Sequence, residues 1–239
     1  MNKDLIKARF AKSLSTYDEN ARIQKKMAEK LADFLSKNYY ESILEIGCGT
    51  GFLTKLLNQN ITFKSYTALD IVDECKSYIS GINPQISFVN NDIEEFISQN
   101  TQKYDLIISN ASLQWVENFE EIINTLKQHL AIDGELIIST FGRENFREIG
   151  MITGTVLDYY SPKELETMFP QSEVIPEIHI MAFETPKDVL KHLQLTGVNA
   201  IENKSWTKKD LTKFENAYRN ICPNRPTLTY NPIYLRTRS

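Results

Sequence analysis

The chain predicts an α/β fold: a mostly parallel sheet with helices on both faces and an antiparallel edge. Three observations predict it. Between Ser42 and Phe141, short apolar runs bounded by turn residues alternate with longer amphipathic stretches, the rhythm of parallel strands joined by helical crossovers. The first of these runs enters a glycine-rich turn, Gly47-Cys48-Gly49-Thr50-Gly51, and then a helical pattern, as at the ligand-binding edge of doubly wound sheets. Two late apolar runs, separated by a helical stretch, suit strands returning antiparallel at one edge.

Residues 1–37 read as a helical leader, with Ile23, Met27, Leu31, Phe34 and Leu35 at helical spacing. Strands are expected at Ser42–Ile46, Ser65–Asp70, Ile86–Asn90, Tyr104–Ser109 and Glu135–Phe141. The helices between them are expected at Gly51–Gln59, Val72–Ser80, Ile93–Gln99 and Phe119–Leu130, the last closed by an Asp133-Gly134 turn. Beyond Phe141 the periodicity fades, and residues 142–170 read as a lid or substrate segment. Within it Ser161-Pro162 forms a helix start. Late strands are expected at Ile175–Phe183 and Leu228–Arg236, flanking a helical stretch from Lys187 to Tyr218.

Composition narrows the function. With 239 residues and 41% hydrophobic content, the chain can bury one continuous core, so residues 1–239 are expected to form a single domain. A net charge of -4 argues against a dedicated nucleic-acid binder. Cys48, Cys75 and Cys222 are odd in number and lack C-x-x-C spacing, so neither a disulfide framework nor a metal site is expected and a cytoplasmic location fits. No run approaches the roughly 18 apolar residues of a membrane span.

The sharpest motif is Glu45-Ile46-Gly47-Cys48-Gly49-Thr50-Gly51. Its glycines are spaced G-x-G-x-G, whereas the dinucleotide fingerprint would need glycine where Phe52 stands. Glu45 beside the turn disfavours a pyrophosphate and suits a ligand with an amino-acid moiety. Asp70, 19 positions after Gly51, ends the second strand, where a carboxylate accepts ribose hydroxyls. Asp92 follows the third strand with Ile93 beside it, and Ser109-Asn110-Ala111 closes the fourth. Either aspartate alone is as well explained as a helix cap; in order, at successive strand ends, they describe one nucleoside site.

These residues resemble the class I S-adenosylmethionine methyltransferases, through Glu45–Gly51, Asp70, Asp92 and Tyr104–Asn110. More narrowly, nearly the whole chain is similar to the malonyl-[acyl-carrier protein] O-methyltransferase family of biotin synthesis. Arg9-Phe10, Ser15-Thr16-Tyr17-Asp18, Gln24, Asn110-Ala111-Ser112-Leu113-Gln114-Trp115, Ser139-Thr140-Phe141-Gly142, Val189–Leu193, Thr196-Gly197 and Leu228-Thr229-Tyr230 carry that likeness. The stretch between Arg147 and Tyr159 is short for the family.

The resemblance implies a seven-stranded Rossmann-like sheet with a leader over the active site. It implies S-adenosyl-L-methionine as cofactor, bound by Glu45, Gly47, Cys48, Gly49, Gly51, Asp70, Ile71, Asp92, Ile93 and Asn110. It further implies methylation of the free carboxylate of a malonyl thioester, on an acyl-carrier protein or coenzyme A. A carboxylate is ionised at neutral pH and needs no general base, which fits the lack of an evident His or Lys pair.

Burying that carboxylate invites a fork-shaped cation, so one of Arg9, Arg22, Arg143 or Arg147 is expected to bind it, with Tyr17, Gln114 and Trp115 shaping the pocket. Carrier proteins are acidic, and two basic stretches offer docking faces: Lys3, Lys7, Arg9 and Lys12, and Lys204, Lys208, Lys209 and Lys213. Other readings remain: a methyltransferase for another small carboxylic acid or metabolite, a nicotinamide-dependent oxidoreductase, or a non-catalytic nucleotide-binding module.

Overall fold

A computed structural model describes residues 2–155, 157–197 and 207–238. Its centre is a seven-stranded sheet in the order β3-β2-β1-β4-β5-β9-β6. The five strands of the alternating region are β1 (Tyr39–Ile46), β2 (Thr62–Asp70), β3 (Ile86–Asn90), β4 (Tyr104–Asn110) and β5 (Leu130–Phe141), and they pair parallel throughout. The chain builds outward from β1 to β2 and β3, then returns to place β4 on the other side of β1, which opens a switch point between β1 and β4. Strand β9 (Pro232–Arg238) runs antiparallel beside β5, and β6 (Glu173–Pro176) pairs antiparallel with β9. The antiparallel edge is therefore present.

Alternation along the buried strands sends successive side chains into two cores. Ile43, Leu106, Ile108 and Ile137 join one core with Met27 and Leu31 of α2 (Arg22–Asp33) and Leu53 and Leu57 of α3 (Phe52–Asn60). Leu44, Ile46, Ile107, Leu136 and Ile138 join the other, with Ile93 and Ile97 of α5 (Ile93–Gln99) and Ile122, Ile123 and Leu126 of α6 (Phe119–Gln128). Helices cover both faces, as the doubly wound class requires.

Several boundaries differ from the sequence expectation. The leader is two helices, α1 (Lys3–Asn20) and α2, because Ala21 leaves helical geometry at ψ 49° and is buried. The helix expected at Val72–Ser80 is a 3₁₀ turn at Asp73–Cys75 followed by the single turn α4 (Lys76–Ile79). The Asp133-Gly134 pair lies inside β5, where Asp133 at φ 59° shifts the register to β4.

Residues 147–153, unpredicted by periodicity, form α7 (Arg147–Thr153), while the Ser161-Pro162 start opens α8 (Pro162–Met168) with Glu164 completing a capping box. Each late strand is two. Pro176 ends β6 before β7 (His179–Ala182), and β8 (Thr227–Tyr230) is separated from β9 by Asn231. Asn231 donates from Nδ2 to the Glu177 carbonyl at 2.7 Å, so its side chain replaces a ladder bond at the break, and β7 and β8 form a separate antiparallel ribbon. The late helical stretch contains α9 (Pro186–Leu195) and α10 (Lys208–Ile221), and the expected helix over 198–206 lies outside the described residues. Among the described residues, no helix is long and apolar enough to cross a membrane.

Candidate active site

The carboxyl ends of β1, β2 and β4 meet at the switch point and floor a cavity that holds about 1130 Å³ of non-protein space, its open mouth included. The three loop glycines each do something different there. Gly47, at φ 73°, lets β1 turn where a Cβ would stand 2.1 Å from Ser112 Oγ. Gly49, at φ 52°, has nothing within 4 Å of a built Cβ, so a side chain there would occupy the cavity itself. Gly51, at φ 72°, starts α3. The open space at Gly49 is the cradle a closely approaching ligand needs.

Asp70 braces this loop from the end of β2. Its Oδ2 accepts from the Gly49 N–H at 2.8 Å and its Oδ1 from the Val72 N–H at 2.9 Å. Burial pushes the carboxyl up, against the lowering effect of these donors. Glu45 is fully enclosed, and its Oε2 accepts from Thr54 Oγ1 at 2.6 Å and Tyr66 Oη at 2.7 Å. Desolvation pushes its carboxyl up to about 7. Burial raises the Cys48 thiol far above its ordinary range, so it lines the wall as an uncharged group.

Ile71 and Ile93 line the same cavity. Asp92 does so while capping α5, with Oδ1 accepting from the Glu94 N–H at 2.8 Å, and its Oδ2 lies 2.8 Å from Lys3 Nζ. Lys3 also pairs with Glu94. Asn110 lines the cavity too, but its amide is committed: Nδ2 donates to the Gln24 carbonyl at 3.0 Å and Oδ1 accepts from Ser139 Oγ at 2.8 Å. Helix α1 covers the cavity with Ile6, Phe10, Leu14 and Tyr17 and is pinned by Thr50 Oγ1 donating to Asp18 at 2.5 Å. The ten residues expected to bind cofactor from the sequence are Glu45, Gly47, Cys48, Gly49, Gly51, Asp70, Ile71, Asp92, Ile93 and Asn110; all but Gly51, which caps α3 beside it, line this one cavity.

A second, smaller and narrow cavity, about 290 Å³ of non-protein space with its open side included, shares Phe10, Tyr17, Ala111 and Trp115 with the first. Gln24, Gln114, Phe141, Tyr159 and Thr196 complete it. Here polar atoms are buried without partners: Gln24 Oε1, Gln114 Oε1 and Trp115 Nε1. Unpaired buried polar atoms cost free energy, so three around one void mark a place where a water or a polar ligand completes the bonding. Tyr17 is half-buried, and desolvation raises its phenol, which keeps the hydroxyl as a donor.

The expected arginines are not there. Arg143 is more than half exposed, pairs with Glu164 and donates from Nε to the Tyr159 carbonyl at 3.2 Å. Arg147 is half exposed and lies 3.6 Å from Glu144 and 3.7 Å from Glu148. Arg22 is exposed on α2 and Arg9 is part-buried on α1, and neither lines either cavity. The physical reason is local supply: Glu144, Glu148 and Glu164 stand within reach of Arg143 and Arg147 and hold both guanidinium groups outside the cavities. Of the sequence-predicted substrate residues, Tyr17, Gln114 and Trp115 line the second cavity, whereas Arg143 and Arg147 do not.

Tyr159 and Thr196 were missed as site residues because they arrive from distant segments. Gln24 carried a signal, being a polar residue three, four and seven positions before Met27, Ala28 and Leu31 on the apolar face of α2. Of the basic stretches, Lys3 is spent on Asp92 and Glu94, Lys208, Lys209 and Lys213 are exposed on α10, and Lys204 lies outside the described residues.

Comparison with known proteins agrees with this geometry. Residues 17–173 match a family model described as a methyltransferase domain. A malonyl-[acyl-carrier protein] O-methyltransferase of Calditerrivibrio nitroreducens is 38% identical over 95% of this chain and 94% of its own. One from Porphyromonas gingivalis is 35% identical over 98% and 95%. The crystal structure of the N-methyltransferase NodS of Bradyrhizobium japonicum in complex with S-adenosyl-l-homocysteine shares the fold, with a TM-score of 0.53 over 91% of this chain and 86% of its own at 16% identity. The glycine cradle and Asp70 fit S-adenosylmethionine, and the chain belongs to the malonyl-[acyl-carrier protein] O-methyltransferase family of S-adenosylmethionine-dependent enzymes.

Proposed function

We propose that the protein methylates the free carboxylate of a malonyl thioester on an acyl-carrier protein, giving the methyl ester that enters biotin synthesis. The observation that carries this reading is the pair of adjacent cavities: the smaller, with unpaired buried polar atoms, shares Phe10, Tyr17, Ala111 and Trp115 with the larger. The names of the relatives supply the substrate class.

S-adenosylmethionine supplies an electrophilic methyl group on a positively charged sulfur. The chain's own residues bind and orient around it. Asp70 and the loop N–H groups hold the ribose end, Glu45 lies at the amino-acid end, and Ile71, Ile93 and the cap residue Asp92 bound the adenine. The acceptor needs no base, because a malonyl carboxylate is ionised at neutral pH. Phe10, Tyr17, Phe141 and Trp115 exclude water, and orientation of this kind supplies on the order of 7–11 kcal/mol. Helix α1 serves as the cover of the site, and residues 142–170, which include Tyr159, as its acceptor-side wall. The unpaired thiols of Cys48 and Cys75 suit a reducing cytoplasm.

Incubation of the purified protein with malonyl-carrier protein and a methyl-labelled donor tests the reading. Label recovered as an ester on the carrier is expected. Absence of ester from malonyl-carrier protein and malonyl-coenzyme A alike would overturn it.

A further inference from the structure

Among the described residues, the second cavity is polar yet uncharged. Its wall includes no Lys, Arg, His, Asp or Glu, although it is the place where an anionic acceptor is to be received. Its polar atoms include neutral donors and a group that becomes one, while Gln114, whose Nε2 donates to the Ala111 carbonyl at 2.7 Å, presents an acceptor oxygen. Trp115 Nε1 carries a hydrogen and is buried without an acceptor. Gln24 is 5% exposed with Oε1 unpaired, and a half-turn of its terminal amide presents the NH₂ instead. Tyr159 is buried and its Oη accepts from Asn145 Nδ2 at 3.1 Å, which leaves the phenol's own hydrogen for another partner.

Resting on the function proposed above, we infer that the acceptor carboxylate is held by the neutral donors Gln24, Trp115 and Tyr159, and that its counter-charge is the sulfonium of the methyl donor and not a cation of the protein. The chemistry favours this division. When a carboxylate oxygen forms its bond to the methyl carbon as the sulfur–carbon bond breaks, the bonding pair stays on sulfur. One negative and one positive charge disappear together. A buried arginine would hold the carboxylate's charge in place, opposing its transfer, and would be left unpaired once the ester formed, at the cost of any isolated buried charge. A water-poor pocket of neutral dipoles strengthens the attraction between the two reacting charges and leaves no fixed ion facing the uncharged products.

Arg143 illustrates the same separation. Its Nε donates to the backbone carbonyl of Tyr159, a residue of the pocket wall, and its Nη2 pairs with Glu164 on a side chain that is more than half exposed.

Calorimetric titration of malonyl-pantetheine tests the inference without turnover. It is run on protein saturated with sinefungin, which carries an ammonium near the position of the sulfonium, and on protein saturated with S-adenosylhomocysteine, whose sulfur is neutral. At least tenfold tighter acceptor binding with sinefungin is expected, and equal affinity in the two complexes overturns the inference by showing that the protein supplies the cation.

Gln24→Ala and Tyr159→Phe are expected to raise KM for the malonyl thioester about tenfold while leaving S-adenosylhomocysteine affinity unchanged. Retention of that affinity shows that each variant is folded, and an unchanged KM in both removes the residues from the role. Ester formed by the parent protein together with equal affinities defeats only this inference. Absence of ester with any malonyl thioester defeats the underlying function.

Discussion

Asn110, the last residue of β4, donates from Nδ2 to the backbone carbonyl of Gln24 at 3.0 Å and so ties the sheet edge to the first turn of α2. Its Oδ1 accepts from Ser139 Oγ, which links the same amide to β5. Asn110 therefore sets where Gln24 stands in the second cavity. Asn110→Ala removes two part-buried hydrogen bonds and is expected to cost about 1–2 kcal/mol of stability, read by denaturant unfolding. It should also raise the acceptor KM in the direction of Gln24→Ala. A rise in cofactor Kd with no change in acceptor KM would assign Asn110 to the cofactor alone.

Asp70 is expected to dominate cofactor affinity. Asp70→Asn keeps one acceptor for the loop N–H groups but loses the charge that receives ribose hydroxyls. Calorimetry with S-adenosylhomocysteine should give a Kd raised at least about tenfold, equivalent to roughly 1.4 kcal/mol. Affinity within twofold of the parent would move the ribose elsewhere.

Gly47 and Gly49 should fail in different ways. A Cβ at Gly47 meets Ser112 at 2.1 Å, so Gly47→Ala is expected to lower Tm by displacing the loop after β4. Gly49 faces open space, so Gly49→Ala pays only the left-handed backbone penalty of about 1 kcal/mol. Its loss should appear as weakened cofactor binding. The pair is separated by thermal melting with and without S-adenosylhomocysteine, and a Gly49→Ala protein whose melting rises with ligand as the parent's does would refute the cradle.

Glu45 and His192 give the protein opposed pH responses. Burial raises the Glu45 carboxyl from 4.5 to about 7. The folded state thus keeps a proton that the unfolded chain loses, and stability falls as pH rises through that window. His192, buried with Nε2 2.7 Å from Tyr230 Oη, is lowered from 6.5 to about 4, first by burial and then by Arg22. Its folded state refuses a proton that the unfolded chain accepts, so this contribution is lost as pH falls from about 6.5 towards 4. Between 4.5 and 6.5 the two slopes oppose. Glu45→Gln keeps an oxygen for Thr54 and Tyr66 and is expected to be more stable than the parent at pH 8, by up to about 3 kcal/mol. It should be more acid-sensitive below pH 6.5. Denaturant midpoints between pH 5 and 8 measure both effects, and equal stability at pH 8 would return the Glu45 ionisation to its ordinary range.

Much of the cofactor side was legible because it is local. A strand, a glycine turn and a helix are contiguous from Glu45 to Gly51, and Asp70, Asp92 and Asn110 each end or follow a strand whose period is visible. The late strands were placed but not divided, because the break depends on the side chain of Asn231 reaching Glu177, 54 positions away. Arg143 and Arg147 stand outside both cavities for a related reason. Charge complementarity argued for a cation beside a carboxylate, but Glu144, Glu148 and Glu164 satisfy Arg143 and Arg147 first.

By itself the sequence determined the parallel sheet, its antiparallel edge and the residues gathered around the larger cavity, since each follows from period, turn chemistry or a motif within a few residues. Only the tertiary structure decided the second cavity. Gln24, Trp115, Tyr159 and Thr196 meet from four separate segments, and which polar atoms are left unpaired there depends on packing across the sheet, which no local pattern encodes.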